Sequence, residues 1–254
     1  MQVSRLIRGI ALTDHVGQDV EITSLTSDTR TLVPGGLFAA LRGTRTDGTQ
    51  YISQALDRGA AAVLCEKAPD VPGPWLVAKD VRQAYGLLCA NWFGNPADTM
   101  HLVAVTGTNG KTTTVSLLGE IFRNAGRTTH VVGNIGYPYS AAGFDSTDSD
   151  IFVCEVSSFQ METAETFHPR CGALLNITED HLNRHGTMEN YALTKMRMFQ
   201  NMTASDVAVL NADDPALVPY IPMVKAQVML FSRKAEVENG AFVRDGVIMT
   251  RWNG

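Results

Sequence analysis

The chain has 254 residues, room for two compact domains or one large one, because a single hydrophobic core stops growing near ~250–300 residues. Its 44% hydrophobic and 19% charged residues exclude a disordered chain. Lys+Arg 21 against Asp+Glu 26 gives a net charge of -5, so there is no basic excess to track a nucleic-acid backbone and no nucleic-acid partner is expected.

The first residues, MQVSRLIRGIALTDH, carry Arg5, Arg8 and Asp14 within their apolar stretch and do not form a signal peptide. Ser27-Asp28-Thr29-Arg30 is a polar loop, and Pro34-Gly35-Gly36 predicts a turn into a strand over 37–41. A helix is expected over 51–58 and a buried strand over 61–65. A helix over Val81–Trp92 is ended by Gly94 and Pro96, and a new strand opens at His101; this places a domain boundary near residue 98. Beyond it, strands at 102–106, 129–133, 151–155, 172–176 and 206–210 alternate with helices at 111–124, near 160–166 and near 188–201. Such alternation predicts βαβ units, a mostly parallel sheet and ligands at the strand C-termini, so both parts are α/β. Cys65, Cys89, Cys154 and Cys171 form no CxxC pair and read as reduced thiols. The longest apolar runs, GAAAVLC and MHLVAVTG, fall far short of the ~20 residues that cross a bilayer. No membrane insertion is expected, and the protein is placed in the cytoplasm.

The sharpest motif is Val105-Thr106-Gly107-Thr108-Asn109-Gly110-Lys111-Thr112-Thr113, between an apolar strand and a helix. That context predicts a phosphate-binding loop. Gly107 and Gly110 let the backbone N–H groups converge on phosphate oxygens, and the helix N-terminus adds positive potential. Lys111 can reach the terminal phosphates and Thr112 can ligate Mg²⁺. The sequence departs from GxxxxGK[ST] in that Val105 stands where the first glycine belongs. The competing reading, a tight turn whose lysine faces solvent, is outweighed by the context, and a nucleoside triphosphate is expected at Gly107 to Thr113.

Two later strands deliver polar clusters at their C-terminal ends. Glu155 closes the run Ile151–Cys154, where a carboxylate suits Mg²⁺ beside a nucleotide better than it suits a cap. Asn176-Ile177-Thr178-Glu179-Asp180-His181-Leu182-Asn183-Arg184-His185-Gly186 follows Ala173-Leu174-Leu175 and points to a site with magnesium and phosphate rather than zinc. Lys195 lies on the helix near 188–201; periodicity alone makes it a surface lysine with its stem laid on the protein.

GTNGKTT, EVSSFQME, NITEDHLNRHGTMENY and TKMRMF, in this order and spacing, resemble the ATP-dependent Mur ligases of peptidoglycan precursor synthesis. The middle segments are most similar to the members that add D-glutamate. The early segments Leu25 to Arg30, Pro34 to Gly43 and Thr46-Asp47-Gly48 resemble instead the UDP-binding domain of the members that add the third residue. No GxG loop of the kind usual in the first domain of the D-glutamate members is found. The resemblance implies a small N-terminal α/β UDP-sugar-binding domain over 1–98, then a P-loop ATPase domain with a mostly parallel sheet over 99–254. The family's C-terminal amino-acid-binding domain is not recognised in the chain, and by this reading the chain alone is not expected to complete the reaction.

The resemblance further implies an acid–amino-acid ligase of cell-wall synthesis, with ATP and Mg²⁺, that adds D-glutamate to UDP-N-acetylmuramoyl-L-alanine through an acyl phosphate. Its partners are then a UDP-N-acetylmuramoyl peptide, ATP and an amino acid. Lys111, Lys195 and His181 are the implied catalytic residues, and Thr112, Glu155, His181 and Lys195 the implied metal site. Lys195 matches a lysine that the family carboxylates on its N6 with CO₂. Ser27, Asp28, Thr29 and Arg30 match the UDP-binding loop, and Asn134 and Ser157 the acceptor site. Asn134 is otherwise an ordinary turn residue. Asn183 stands where the family has Asp. Two alternatives are a ligase adding lysine or diaminopimelate to the L-Ala-D-Glu acceptor, and a non-catalytic UDP-sugar or nucleotide-binding module.

Overall fold

The computed structural model describes residues 1–43, 46–70, 72–95, 100–142 and 146–252. They fall in two compact units, Met1–Pro96 and Ala97–Gly254. The boundary expected near residue 98 lies outside the described residues.

The first unit runs α1 (Val3–Leu6), β1 (Asp14–His15), β2 (Leu25–Thr26), β3 (Leu37–Ala39), α2 (Ile52–Asp57), β4 (Ala62–Cys65), β5 (Trp75–Val77) and α3 (Val81–Trp92). Its sheet has the order β1-β5-β4-β3-β2, parallel throughout except for β1 against β5. Strand alternation sends Leu37, Ala39, Leu64 and Leu76 to one face, where α1 and α3 cover them with Leu6, Val81, Ala84 and Leu88. Phe38, Val63, Cys65 and Trp75 go to the other, under Ile52 and Ala55 of α2. Burial on both faces is why these strands read as unbroken apolar runs. The Asp80 side chain caps α3 by accepting from the Gln83 N–H at 2.9 Å.

The second unit runs β6 (His101–Thr106), α4 (Lys111–Asn124), β7 (Thr129–Gly133), α5 (Tyr139–Ala142), β8 (Ile151–Glu155), α6 (Ser158–Met161), β9 (Cys171–Leu174), α7 (Leu182–His185), α8 (Met188–Met196), β10 (Val207–Asn211), β11 (Gln227–Ser232), β12 (Gly240–Arg244) and β13 (Val247–Arg251). The order β13-β12-β11-β10-β9-β6-β8-β7 is parallel except for the terminal β12–β13 hairpin. Val105, Val153 and Ala173 pack under Val115 of α4. Leu102, Ala104, Phe152 and Leu174 pack on the opposite face with Met161, Tyr191, Ala192 and Met196. The chain moves from β6 outward to β7 and β8 and then crosses to β9 on the other flank, so the C-terminal end of β6 is a topological switch point, the crevice where open α/β sheets bind ligands.

Several expected boundaries move. The helix near 160–166 is only Ser158–Met161, because the next carbonyls are taken by side chains: Arg197 and Gln200 donate to Ala164 O, and Asn201 donates to Glu165 O and Phe167 O. The strand at 172–176 stops at Leu174, since Asn176 turns over the loop after β6. The helix near 188–201 ends at Met196 and tightens to a 3₁₀ turn over Arg197–Phe199. The four cysteines are free. Among the described residues no helix is long and apolar enough to cross a membrane.

Candidate active site

The loop from β6 into α4 turns at Gly107 (φ +152°) and Gly110 (φ +83°), backbone that side chains rarely adopt. A Cβ on Gly107 would also sit 3.1 Å from Leu175 Cβ and 3.3 Å from the Asn176 nitrogen. Asn176, just past β9, clasps the loop. Its Oδ1 accepts from the N–H groups of Thr108 and Asn109 at 3.1 and 2.8 Å, and its Nδ2 donates to Asn109 O at 3.1 Å. Gly110 offers no side-chain cap to α4, so the first N–H groups of this 14-residue helix keep their partial positive charge for a ligand. Lys111 does not face solvent; its ammonium donates to Gly107 O at 3.0 Å and Thr108 O at 2.8 Å. Val105 is wholly buried inside β6, a place with no need for a glycine. Thr113 lies exposed on the first turn of α4.

At the end of β8 the buried Glu155 carboxylate joins Thr112, its expected partner, and Asn134. Its Oε2 accepts from Thr112 Oγ1 at 2.8 Å and its Oε1 from Asn134 Nδ2 at 3.0 Å. Asn134 is also held by its backbone, N–H to Glu155 O at 2.9 Å. Ser157 closes a capping box with Gln160, which explains why a hydroxyl and an amide stand three residues apart there.

Lys195 is 2% exposed. The surface placement that periodicity suggests is wrong, because Tyr191, Ala192, Lys195 and Met196 share the buried face of α8. Its ammonium donates to Gly107 O at 2.9 Å and stands 4.6 Å from the centre of the Tyr191 ring. Burial, and the charge of Lys111, bring it down to about 8 from 10.5, against an opposing pull from Asp180.

His181 occupies a left-handed conformation (φ +52°) at the start of α7. Its ring lies 4.8 Å from that of Phe159, and its Nε2 is 3.3 Å from Asp180 Oδ2. It therefore sits with Asp180 rather than hydrogen-bonded to Thr112, Glu155 or Lys195. In the first unit, Arg30 is clamped by Asp28, Nη2 to Oδ2 at 2.7 Å, and these hydrogen bonds hold the Asp28 carboxyl at about 2. Thr29 is buried and donates to Gln54 Oε1 at 2.7 Å. Ser27 lies in the bend just before them.

Some residues of the site had no role assigned from sequence. Asn176 organises the loop between β6 and α4; its signal is a polar residue at the C-terminal end of a neighbouring strand. Tyr191 carries Lys195 from one helical turn away, a spacing that puts both on one face. His185, buried, meets Ser158 Oγ through Nε2 at 3.0 Å and lies 3.7 Å from Glu162 Oε1 through Nδ1, tying α6 to α7.

Comparison with known proteins supplies a context for this geometry. A family model described as the Mur ligase middle domain matches residues 105–249, and one described as the Mur ligase family catalytic domain matches 21–87. The UDP-N-acetylmuramoylalanine–D-glutamate ligase of Alkaliphilus oremlandii is 52% identical over 154 residues, covering 61% of this chain and 34% of that protein. The enzyme of the same name from Pelotomaculum thermopropionicum is 54% identical over 153 residues, covering 60% and 34%. This chain thus spans about a third of the length of these relatives. A solved structure of UDP-N-acetylmuramoyl-L-alanyl-D-glutamate–2,6-diaminopimelate ligase superposes with a TM-score of 0.75 at 26% identity, covering 96% of this chain and 55% of that one. The Thermotoga maritima MurF ligase in complex with ADP shares the fold at 22% identity and a TM-score of 0.60, over 92% of this chain and 56% of that one. With more than half of its length matched by the middle-domain model, and with the loop and carboxylate geometry above, the chain belongs to the Mur ligase family.

Proposed function

We propose that this chain carries the nucleotide- and acceptor-binding parts of an ATP-dependent ligase of peptidoglycan precursor synthesis, one that joins D-glutamate to UDP-N-acetylmuramoyl-L-alanine. The observation that carries this reading is the meeting of three things at one sheet edge: a phosphate loop, the Thr112–Glu155 oxygen pair and the buried amine of Lys195. The identity of about half with D-glutamate ligases supports the choice of amino acid.

In the reaction, an oxygen of the acceptor carboxylate attacks the γ-phosphorus and ADP departs. The amine of D-glutamate then attacks the acyl phosphate, expels inorganic phosphate, loses a proton and leaves an amide. Bringing anions together is the difficult part, so positive charge must be fixed in advance. Lys111, held on the carbonyls of Gly107 and Thr108 in the loop, is the group that would neutralise the phosphates. Thr112 and Glu155 present hard oxygens 2.8 Å apart, a donor set that suits Mg²⁺ completed by phosphate and water. Bound there, Mg²⁺ would supply charge neutralisation between the phosphates and the attacking carboxylate. His181 is the candidate for a second ion.

With its ammonium lowered to about 8, Lys195 is partly neutral near neutral pH, the form that adds CO₂. The nitrogen lone pair forms the N–C bond, one C=O pair moves to oxygen, and a proton leaves to solvent, giving an N6-carboxylate that would be available to a metal ion. Residues 1–98 are assigned to the UDP-sugar, with Ser27 to Arg30 at the nucleotide, and residues 99–254 to ATP.

A second reading has its own support: the diaminopimelate ligase structure, named for an acceptor already bearing D-glutamate, matches 96% of this chain at 26% identity. Calorimetric titration with UDP-N-acetylmuramoyl-L-alanine and with its L-Ala-D-Glu form separates the two. Tighter binding of the first supports the D-glutamate ligase. Tighter binding of the second assigns the third-residue ligase, and binding of neither overturns both in favour of a nucleotide-binding module.

A further inference from the structure

Thr106, the last residue of β6, is 0% exposed, and its hydroxyl has no hydrogen-bond partner. A fully buried hydroxyl left unpaired is destabilising, and a valine would fill the same space without that cost. Its position narrows what it is for. Along β6 the side chains alternate: Val103 and Val105 face the core beneath α4, whereas Leu102 and Ala104 face the core built with α8. Thr106 continues the second set. On that same side Lys195 reaches the carbonyl of Gly107, the very next residue, at 2.9 Å. An idle donor and a buried amine thus share one strand end.

As an amine, Lys195 has what it needs: an acceptor in Gly107 O and the face of the Tyr191 ring, both suited to a cation. Carboxylated, it would carry the opposite charge and extend ~2 Å further along the C–N and C–O bonds. A buried carboxylate requires donors, and neither the Gly107 carbonyl nor the ring face is one. Lys111, on the same carbonyl, offers charge, and Thr106 offers the unused O–H.

We propose that Thr106 is the positioning residue for N6-carboxylated Lys195, donating its hydroxyl hydrogen to an oxygen of the new carboxylate. The proposal rests on the reading of Lys195 given above. It explains why an unpaired hydroxyl is kept in the core: it is unpaired only while Lys195 is an amine.

The test is carbon-13 NMR of the whole chain in labelled bicarbonate at mildly alkaline pH, with Mg²⁺, reading the fraction of lysine carbamate; Lys195→Ala identifies the signal. Thr106→Val is expected to lower that fraction about 10-fold or more, the effect of losing one hydrogen bond to a charged group, while Thr106→Ser keeps it near the wild-type level. In CO₂-free buffer Thr106→Val should melt at the same temperature as the wild type or higher, the opposite of what a structural role for the hydroxyl requires. A wild-type carbamate fraction in Thr106→Val, or in Thr106→Ala should the valine variant misfold, overturns the proposal. Absence of the signal from the wild type overturns the carboxylation of Lys195 itself, and Thr106's role with it.

Discussion

Lys111 and Lys195 donate to the same carbonyl oxygen, that of Gly107, at 3.0 and 2.9 Å. One acceptor between two ammonium groups, one of them buried, is a costly arrangement for folding and a useful one for chemistry. The cost has a definite pH dependence. The folded chain holds the Lys195 proton less tightly than the unfolded chain, about 8 against 10.5, so this group lowers stability fully below about pH 8 and ceases to do so as pH rises through 10.5. A displacement of that size corresponds to about 3 kcal/mol. Lys195→Met, measured by denaturant unfolding in CO₂-free buffer, should therefore be more stable than the wild type at pH 7 by ~1–3 kcal/mol, since Gly107 O keeps its bond from Lys111. The gain should shrink toward pH 10. A less stable methionine variant at pH 7 would contradict this account.

Lys111→Ala tests the phosphate loop. Of the two carbonyls that Lys111 engages, Gly107 O keeps its bond from Lys195 and Thr108 O lies at a half-buried turn, so the fold should survive with an unchanged circular dichroism spectrum. ATP affinity should fall by at least ~30-fold, the scale of removing one partner from a close charge pair. Wild-type affinity in this variant would mean that the loop does not hold phosphate.

Glu155 receives hydrogen bonds on both of its oxygens, from Thr112 and Asn134, which aims the carboxylate without a metal present. Glu155→Gln retains the shape and removes the charge. Nucleotide binding measured with and without Mg²⁺ should show the Mg²⁺-dependent gain reduced by about 10-fold or more, with Mg²⁺-free binding little changed. An undiminished gain would remove Glu155 from the metal site.

How much of this could be read from the chain alone depends on how local the cause is. The helix Lys111–Asn124 and the helix Val81–Trp92 have the expected ends because loop glycines and an Asp80 cap set them within a few residues. The helix expected near 160–166 fails for a distant reason: its carbonyls are claimed by Arg197, Gln200 and Asn201, more than thirty residues on. Lys195 shows the same limit in the site. Its sequence neighbourhood describes a surface lysine, and only the packing of α8 against β6 buries it. The clasp of Asn176 on Thr108 and Asn109 was hidden for the same reason, spanning a crossover between adjacent parallel strands. Strands β11 to β13 carry no motif that marks them in the sequence.

At the N-terminal ends of the strands of the second sheet, Asp206 precedes β10 and is fully enclosed, with His168 Nε2 at 2.8 Å, Arg170 Nη1 at 3.3 Å and the Thr203 N–H at 2.7 Å from its oxygens. Burial pushes its carboxyl up, but the hydrogen bonds from His168 and Thr203 outweigh burial and hold it at about 2. The sign is that of a carboxylate bound more tightly as an anion: its contribution is complete above its ordinary value of 3.8 and is lost as pH falls through about 2. The shift corresponds to about 2 kcal/mol. Asp206→Asn places an amide hydrogen-bond donor among donors and should cost ~2–4 kcal/mol in urea unfolding at pH 7. Because the wild type surrenders the same interaction in acid, the two unfolding curves should converge as pH approaches 2. A gap that persists undiminished to pH 2 would show that the aspartate acts through shape alone.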